Sequence, residues 1–291
     1  EFSFFIGKNS HENMLNGNNL IHTTITAHSG CDDTPMNSLE SVLSGINDRA
    51  DIIEVDVRAD KNGRLILSHN LDQERIYAGH AELIQVLEIF QTNKNICLNC
   101  DIKETEIIPS VLESAEQYQL SKDRIYLSGS VTPELLRQRP EIIEKCDIQW
   151  NIEEAMIPLV EKKLIAEGKE YLRETLHTNP WEVLRDEVPD PDRYLPDLIK
   201  MAKDFSLTTF NMPLEYATDD RIRFFHNNGL KVSVWTVNDG EEIYRLLRLR
   251  VRNITTKKVK MAIKVKMEFL GFTEQEGRQK GANRKNEFPE P

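Results

Sequence analysis

Two carboxylates inside an apolar run are the first feature of this chain that could do chemistry. In "DIIEVDVRADKNGRLILSHN", residues 51–70, Glu54 and Asp56 alternate with Ile53 and Val55, the chain turns at Asn62-Gly63, and His69 follows. Residues two apart on a strand leave the same face, so both acids share one side and the aliphatic pair takes the other. Adjacent buried anions are costly unless a cation or hydrogen-bond donors compensate them. A hard divalent cation is the simplest compensation at a strand's end. With Asn62-Gly63 as a two-residue turn, Lys61 faces Arg64 and Asp56 falls opposite His69, which places the histidine on the carboxylate face.

A second histidine, His28, closes the strand-like "ITAHSG". Two histidines beside two acids can form a general acid/base pair around a metal. Further on, "NCDIK" offers Asp101 to complete a carboxylate shell, and Lys103, on the same face, to hold a phosphoryl oxygen.

These residues need a scaffold that brings strand ends together. From residue 22 the chain alternates short β-branched runs with amphipathic stretches. Eight strands are expected, at 23–29, 51–57, 95–102, 124–130, 146–152, 207–213, 231–237 and 252–256. Between them, "SLESVLSGIN", "AELIQVLEIF", "IIPSVLESAEQYQ", "PDRYLPDLIKMAKDF" and "DDRIRFFHNN" carry helical periodicity. Eight alternations predict an α/β fold, the TIM (β/α)8 barrel, with bulky apolar side chains inside it. An open doubly wound sheet is the weaker alternative, because no glycine-rich phosphate loop follows the first strand.

The domain is expected to run from 23 to 271, behind an N-terminal extension (1–22) and ahead of a polar, disordered tail (272–291). Residues 153–190 break the rhythm: a charged helical pattern gives way to a long loop, "HTNPWEVLRDEVPDPD", whose Trp181 either covers the site or packs its own loop. The closing "KKVKMAIKVKMEF" reads as a last helix with a basic, solvated face, for which a weak anionic-membrane contact is the alternative.

Composition narrows the partners. A net charge of -11 argues against nucleic acid and favours a small substrate. Four scattered cysteines do not form a disulfide framework, and Cys97 and Cys100 lie in a strand-like run that reads as core. No apolar run is long enough to span a bilayer. The expected location is the cytoplasm, although an opening without methionine leaves room for a removed signal or anchor.

"TAHSG", "TPMNSLES", "ADIIEVDVRADKNGRLILSHN", "LNCDIK", "NNGLKVSVWTVND" and "RNITT" follow in order the motifs of glycerophosphodiester phosphodiesterases, a resemblance covering residues 23–257. It implies a TIM barrel of the phospholipase-C-like phosphodiesterases that needs one divalent cation, Mg²⁺ or Ca²⁺, and cleaves glycerophosphodiesters to an alcohol and glycerol 3-phosphate. By position it implies Glu54, Asp56 and Asp101 as metal ligands, His28 and His69 as the acid/base pair, and Lys103 and Trp235 as substrate contacts. Ser29 stands as a further substrate contact, where the family usually has arginine. Met36 replaces a usual glutamate, and Asp101 a more frequent glutamate. With that arginine and glutamate missing, two alternatives stand beside the hydrolase: a phospholipase-D-toxin-like lyase forming a cyclic phosphate, and a non-catalytic phosphodiester-binding barrel.

Overall fold

Strict alternation along the strands separates two layers with opposite chemistry. The computed structural model describes residues 23–70 and 80–271; the expected extension and tail lie outside the described residues. The strands are β1 (Thr24–Ala27), β2 (Ile52–Ala59), β3 (Leu65–Leu67), β4 (Cys97–Ile102), β5 (Ile125–Gly129), β6 (Asp147–Asn151), β7 (Thr209–Pro213), β8 (Lys231–Trp235) and β9 (Asn253–Thr256). Eight of them pair in parallel in the order β1-β9-β8-β7-β6-β5-β4-β2, and β1 also pairs with β2, which closes the ring into a TIM barrel. β3 is an added strand, antiparallel to the far end of β2.

The helices are α1 (Leu39–Asn47), α2 (Leu83–Thr92), α3 (Ile108–Gln117), α4 (Pro133–Gln138), α5 (Ile142–Lys145) and α6 (Ile152–Ala166). They continue with α7 (Arg173–Thr178), α8 (Pro180–Glu187), α9 (Leu195–Asp204), α10 (Asp219–Asn227), α11 (Gly240–Arg248) and α12 (Val259–Phe269). Several begin where a side chain satisfies a free backbone donor: Ser38 accepts from Ser41, Thr132 from Leu135, and Asp239 from both Glu241 and Glu242.

Residues 177–192, expected as a long loop, are mostly helical. α7, α8 and a short 3-10 turn occupy them, because Leu176, Val183, Leu184 and Tyr194 are buried and supply the apolar contacts that a loop lacks. Trp181 packs on Tyr216, ring centroids 5.7 Å apart, at the edge of a 330 Å³ cavity shared with Met156 and Leu184. The lysines of the basic α12 segment largely answer acids of the barrel: Lys258 pairs with Asp33, Lys260 with Asp48 and Lys266 with Asp51.

The apolar core is the outer layer, between strands and helices. Ile53, Val55, Leu98, Cys100, Leu127, Trp150, Phe210, Val232 and Ile254 are all buried there. Each such side chain contributes roughly 1.5–3 kcal/mol on burial. Trp150 anchors one side, stacked on Phe210 at 5.5 Å with its indole N–H donating to the Val131 carbonyl at 2.8 Å. The expectation of bulky apolar residues inside the barrel is corrected. The inner layer is polar, with Thr26, Asn99, Ser128, Gln149, Ser233 and Asn253 buried and bonded across the ring. Asn253 accepts from Thr24 and Thr26 at 2.8 Å and donates to Ser233 at 3.0 Å, and Ser233 donates to Gln149 at 3.0 Å. Such an interior is tolerable because most of its groups satisfy one another; the side-chain oxygens of Asn99 and Asn211 are the exceptions among the described residues. Glu54 and Asp56 are therefore the upper rows of a lining that is largely polar, with Ile52 the apolar residue below them on the same face of β2.

Candidate active site

The register of the parallel strands sets the carboxylates side by side. Asp56 on β2 lies opposite Asp101 on β4, and Glu54 lies opposite Asn99. Asp101 in turn faces Ser128 on β5, whose hydroxyl donates to Asp101 Oδ1 at 2.9 Å. Asn99 Nδ2 donates to Ser128 Oγ at 2.9 Å and to Glu54 Oε2 at 3.1 Å. Gly129 makes this close packing possible: it takes φ +75°, and a Cβ there would stand 2.3 Å from the Ile102 carbonyl and 2.7 Å from Asp101 Oδ1.

Lys103 enters as the counter-charge. Its Nζ is 2.8 Å from Asp56 Oδ1 and also bonds Asp101 Oδ2. Burial pushes the Asp56 carboxyl up, but Lys103 and the Asn37 amide, donating at 2.8 Å, outweigh it and hold Asp56 below its ordinary range. Glu54 has no such cation: burial, then Asp101 and Asp56, raise its pKa well above normal, against a smaller pull from Lys103 and Asn99.

His28 stands at the end of β1 with Nε2 3.7 Å from Glu54 Oε1 and Nδ1 2.9 Å from the Ser29 carbonyl. A carbonyl only accepts, so Nδ1 carries hydrogen and the neutral ring presents its lone pair at Nε2. Burial lowers the His28 pKa, Lys257 adds to this, and the Ser29 carbonyl, Asp56 and Asp101 oppose it.

His69 reaches the site by a route that differs from the expected one. The hairpin pairs Val57 with Leu67 and Ala59 with Leu65, so Asp56 faces Ser68, one residue away from the expected register. The cause is the turn: Asp60 Oδ1 accepts from the N–H groups of Asn62 and Arg64, Gly63 takes φ +78°, and three residues rather than two bridge the strands. A one-residue shift would turn His69 to the other face if the ladder continued. It does not continue, because β3 ends at Leu67 and Arg58 seizes the His69 carbonyl with Nε and Nη2, both at 3.1 Å, while Nη1 pairs with Glu104 at 2.7 Å. His69 is exposed, lies near enough for its charge to favour ionised Asp56, and sets Nδ1 2.8 Å from Asn70 Oδ1.

Ser29 is 2% exposed and faces Asn37: it accepts from the Asn37 N–H at 2.6 Å and donates to Asn37 Oδ1 at 3.0 Å. Its observed contact is thus a support for the amide that holds Asp56. Trp235 ends β8, four strands round the ring from β4, with its carbonyl accepting from Leu214 N–H at 2.7 Å and its Nε1 without a hydrogen-bond partner among the described residues.

Asn37, Asn99, Arg58 and Glu104 were not expected as part of the site. Asn99 could have been, since "NCD" repeats the spacing of "EVD" one strand later. Glu153 and Glu154, at the start of α6, form a further acidic pair at the mouth. Burial raises Glu153 to about 8 and Glu154 to about 7, and Asp101 adds to both. Glu153 Oε1 accepts from Asn151 at 2.9 Å.

The three carboxylates Glu54, Asp56 and Asp101 oppose one ammonium, that of Lys103. By donor type, three carboxyl groups against one ammonium, the set suits a divalent oxygen-seeking ion, whose charge would favour ionised Glu54. As arranged, Lys103 lies between the two aspartates, and among the described residues no three acidic, histidine or cysteine groups converge on one point.

Histidines, carboxylates and a lysine gathered at the C-terminal strand ends of a closed (β/α)8 barrel are the layout of a barrel enzyme. The chain belongs to the glycerophosphoryl diester phosphodiesterase family, whose model matches residues 81–261. That segment carries Asp101, Lys103 and Trp235, while His28, Glu54, Asp56 and His69 precede it. Among solved structures, the chain is similar to a glycerophosphodiester phosphodiesterase of Thermotoga maritima, with 19% identity, TM-score 0.53, and 84% of this chain and 98% of that one covered. It is also similar to one from Parabacteroides distasonis, with 15% identity, TM-score 0.57 and coverage of 86% and 98%. A third is an Oleispira antarctica phosphodiesterase in complex with the product sn-glycerol-3-phosphate, with 12% identity, TM-score 0.60 and coverage of 83% and 96%. No curated protein sequence gives a significant match.

Proposed function

We propose that this protein hydrolyses glycerophosphodiesters to an alcohol and glycerol 3-phosphate, with His28 and His69 moving the protons. The observation that carries the reading is the meeting of His28, Glu54, Asp56, Asp101 and Lys103 at the mouth of a barrel of this family. The product bound by the Oleispira relative supports the same substrate class.

Glu54, Asp56 and Asp101 would hold one divalent cation, Mg²⁺ or Ca²⁺, which when bound supplies Lewis-acid stabilisation of charge on the phosphate oxygens. His28 takes the proton from the nucleophile, a water or the neighbouring glycerol hydroxyl, because its Nδ1–H is committed to the Ser29 carbonyl and Nε2 is the free base. His69, exposed and held through its carbonyl by Arg58, returns a proton to the leaving alkoxide. Asn37 and Ser29 keep Asp56 in place. Trp235, at the end of β8 on the far side of the mouth, would cover the glycerol portion.

The test is release of glycerol 3-phosphate from glycerophosphocholine, followed by phosphorus NMR with and without chelator. The native protein is expected to turn over and chelator to stop it. His28→Ala and His69→Ala are each expected to lose roughly 10²–10⁴-fold in kcat with an unchanged circular dichroism spectrum. Full activity in either variant overturns the acid/base assignment, and a cyclic phosphate as sole end product assigns the lyase reaction instead.

A further inference from the structure

An anionic diester brought to this mouth meets mostly acids: Glu54, Asp56 and Asp101 on β2 and β4, and Glu153 and Glu154 at the head of α6. The lysine on the carboxylate face is already engaged, since Lys103 bonds two aspartates at once. Arg58 is committed to Glu104 and to the His69 carbonyl. Ser29 brings no charge and is spent on Asn37. Beyond the divalent cation proposed above, a charge for the phosphate on the His28 side has to come from another protein group.

Lys257 is in that place. β1 and β9 run in parallel with Ala27 opposite Thr256, so the next pair in the register is His28 and Lys257. The backbone confirms the contact, with His28 N–H donating to the Thr256 carbonyl at 2.9 Å and Asp32 N–H to the Lys257 carbonyl at 2.7 Å. The ammonium lies beside Met36, 4.0 Å from its sulfur, and Met36 folds over Gly30. Among the described residues it has no carboxylate partner, while its neighbour Lys258 is paired with Asp33 at 3.2 Å. Its contact with the thioether is solvent-exposed and leaves the ammonium available, and an ammonium is a point donor suited to a phosphate oxygen. Its field also reaches the His28 ring.

We propose that Lys257 is a phosphate-binding residue of this site, holding a non-bridging oxygen of the bound phosphodiester or phosphomonoester from the β9 side. The proposal rests on the reading of the mouth as a phosphodiester site. It assigns the charge that Ser29 does not provide to a residue on the neighbouring strand.

The experiment compares wild type, Lys257→Met, Lys257→Arg and Lys258→Met, each with saturating magnesium, by calorimetric binding of glycerol 3-phosphate and by kinetics on glycerophosphocholine. A hydrogen bond to a charged group corresponds to a loss of about ten-fold or more. Lys257→Met is expected to weaken glycerol 3-phosphate binding and raise KM by that factor, with a smaller change in kcat. Lys257→Arg should recover to within about three-fold, and Lys258→Met should match wild type. Lys257→Gln, which keeps length and polarity, serves if the methionine variant does not fold. Wild-type affinity in Lys257→Met overturns the proposal, and so does a loss that Lys257→Arg shares in full. If wild type turns over no diester, the hydrolase reading fails, while the glycerol 3-phosphate titration still decides the role of Lys257.

Discussion

Replacing Lys103 by methionine removes the positive charge shared by Asp56 and Asp101 while keeping most of the side-chain volume. The lysine side chain is 16% exposed, and those of Asp56 and Asp101 are 3% and 18% exposed, so solvent screens the loss only in part. Breaking a buried pair by removing one partner costs about 3–5 kcal/mol. The bonds that Asn37 and Ser128 still make favour the lower end, about 3 kcal/mol. For a domain of this size that is roughly 6–12 °C in Tm.

The deficit should depend on pH in a defined direction. In the native protein Asp56 is depressed, so its contribution is complete above the ordinary carboxylate range and fades as pH falls through its lowered pKa. Without Lys103, burial dominates and the Asp56 pKa rises, so the variant's penalty is largest near pH 7.5 and shrinks towards pH 5. A bound divalent cation restores the missing charge, and a ligand at about 100 times its Kd adds about 2.7 kcal/mol. Urea unfolding of both proteins at the two pH values, in chelator and in saturating Mg²⁺ or Ca²⁺, measures each part. A chelated Lys103→Met protein as stable as wild type at pH 7.5 would refute the charge accounting.

Arg58→Ala frees the His69 carbonyl and leaves Glu104 unpaired. A catalytic group displaced by about 1 Å can cost 10²-fold, so kcat on glycerophosphocholine is expected to fall roughly ten- to hundred-fold with KM little changed, and an unaltered kcat would deny Arg58 its positioning role. Glu153 holds its proton to about pH 8 in the fold but only to about 4.5 when unfolded, so stability should fall as pH rises between those values, at most by about 1.4 kcal/mol per unit. Glu153→Gln removes that slope, so its urea midpoint should gain on wild type from pH 5 to pH 7; a constant difference between the two proteins would show Glu153 to be ionised in the fold.

The barrel was legible because strand and helix periods are local. Each of the eight expected strands overlaps an observed barrel strand, and Ile53 and Val55 point to the helices as alternation requires. The carboxylate rows were legible for the same reason, since Glu54, Asp56 and Asp101 need only the two-residue repeat to share a face. The hairpin shows where local reading stops. Asn62-Gly63 marks a turn, but Asp60 captures Asn62 and Arg64 and adds a residue to it, and that choice is made by one side-chain oxygen.

Residue types and spacing determined by themselves a (β/α)8 barrel with two acids, a histidine at the end of β1 and another after the hairpin. Tertiary structure alone decided which charges meet. It drew Lys103 between two aspartates, turned Ser29 to Asn37, bent the chain after Leu67 so that His69 came within electrostatic range of Asp56, and left Lys257 beside His28 without an acid among the described residues. The physical reason is that periodicity fixes the face a side chain leaves from, whereas electrostatic pairing depends on distances between strands far apart in sequence, which exist only once the ring has closed.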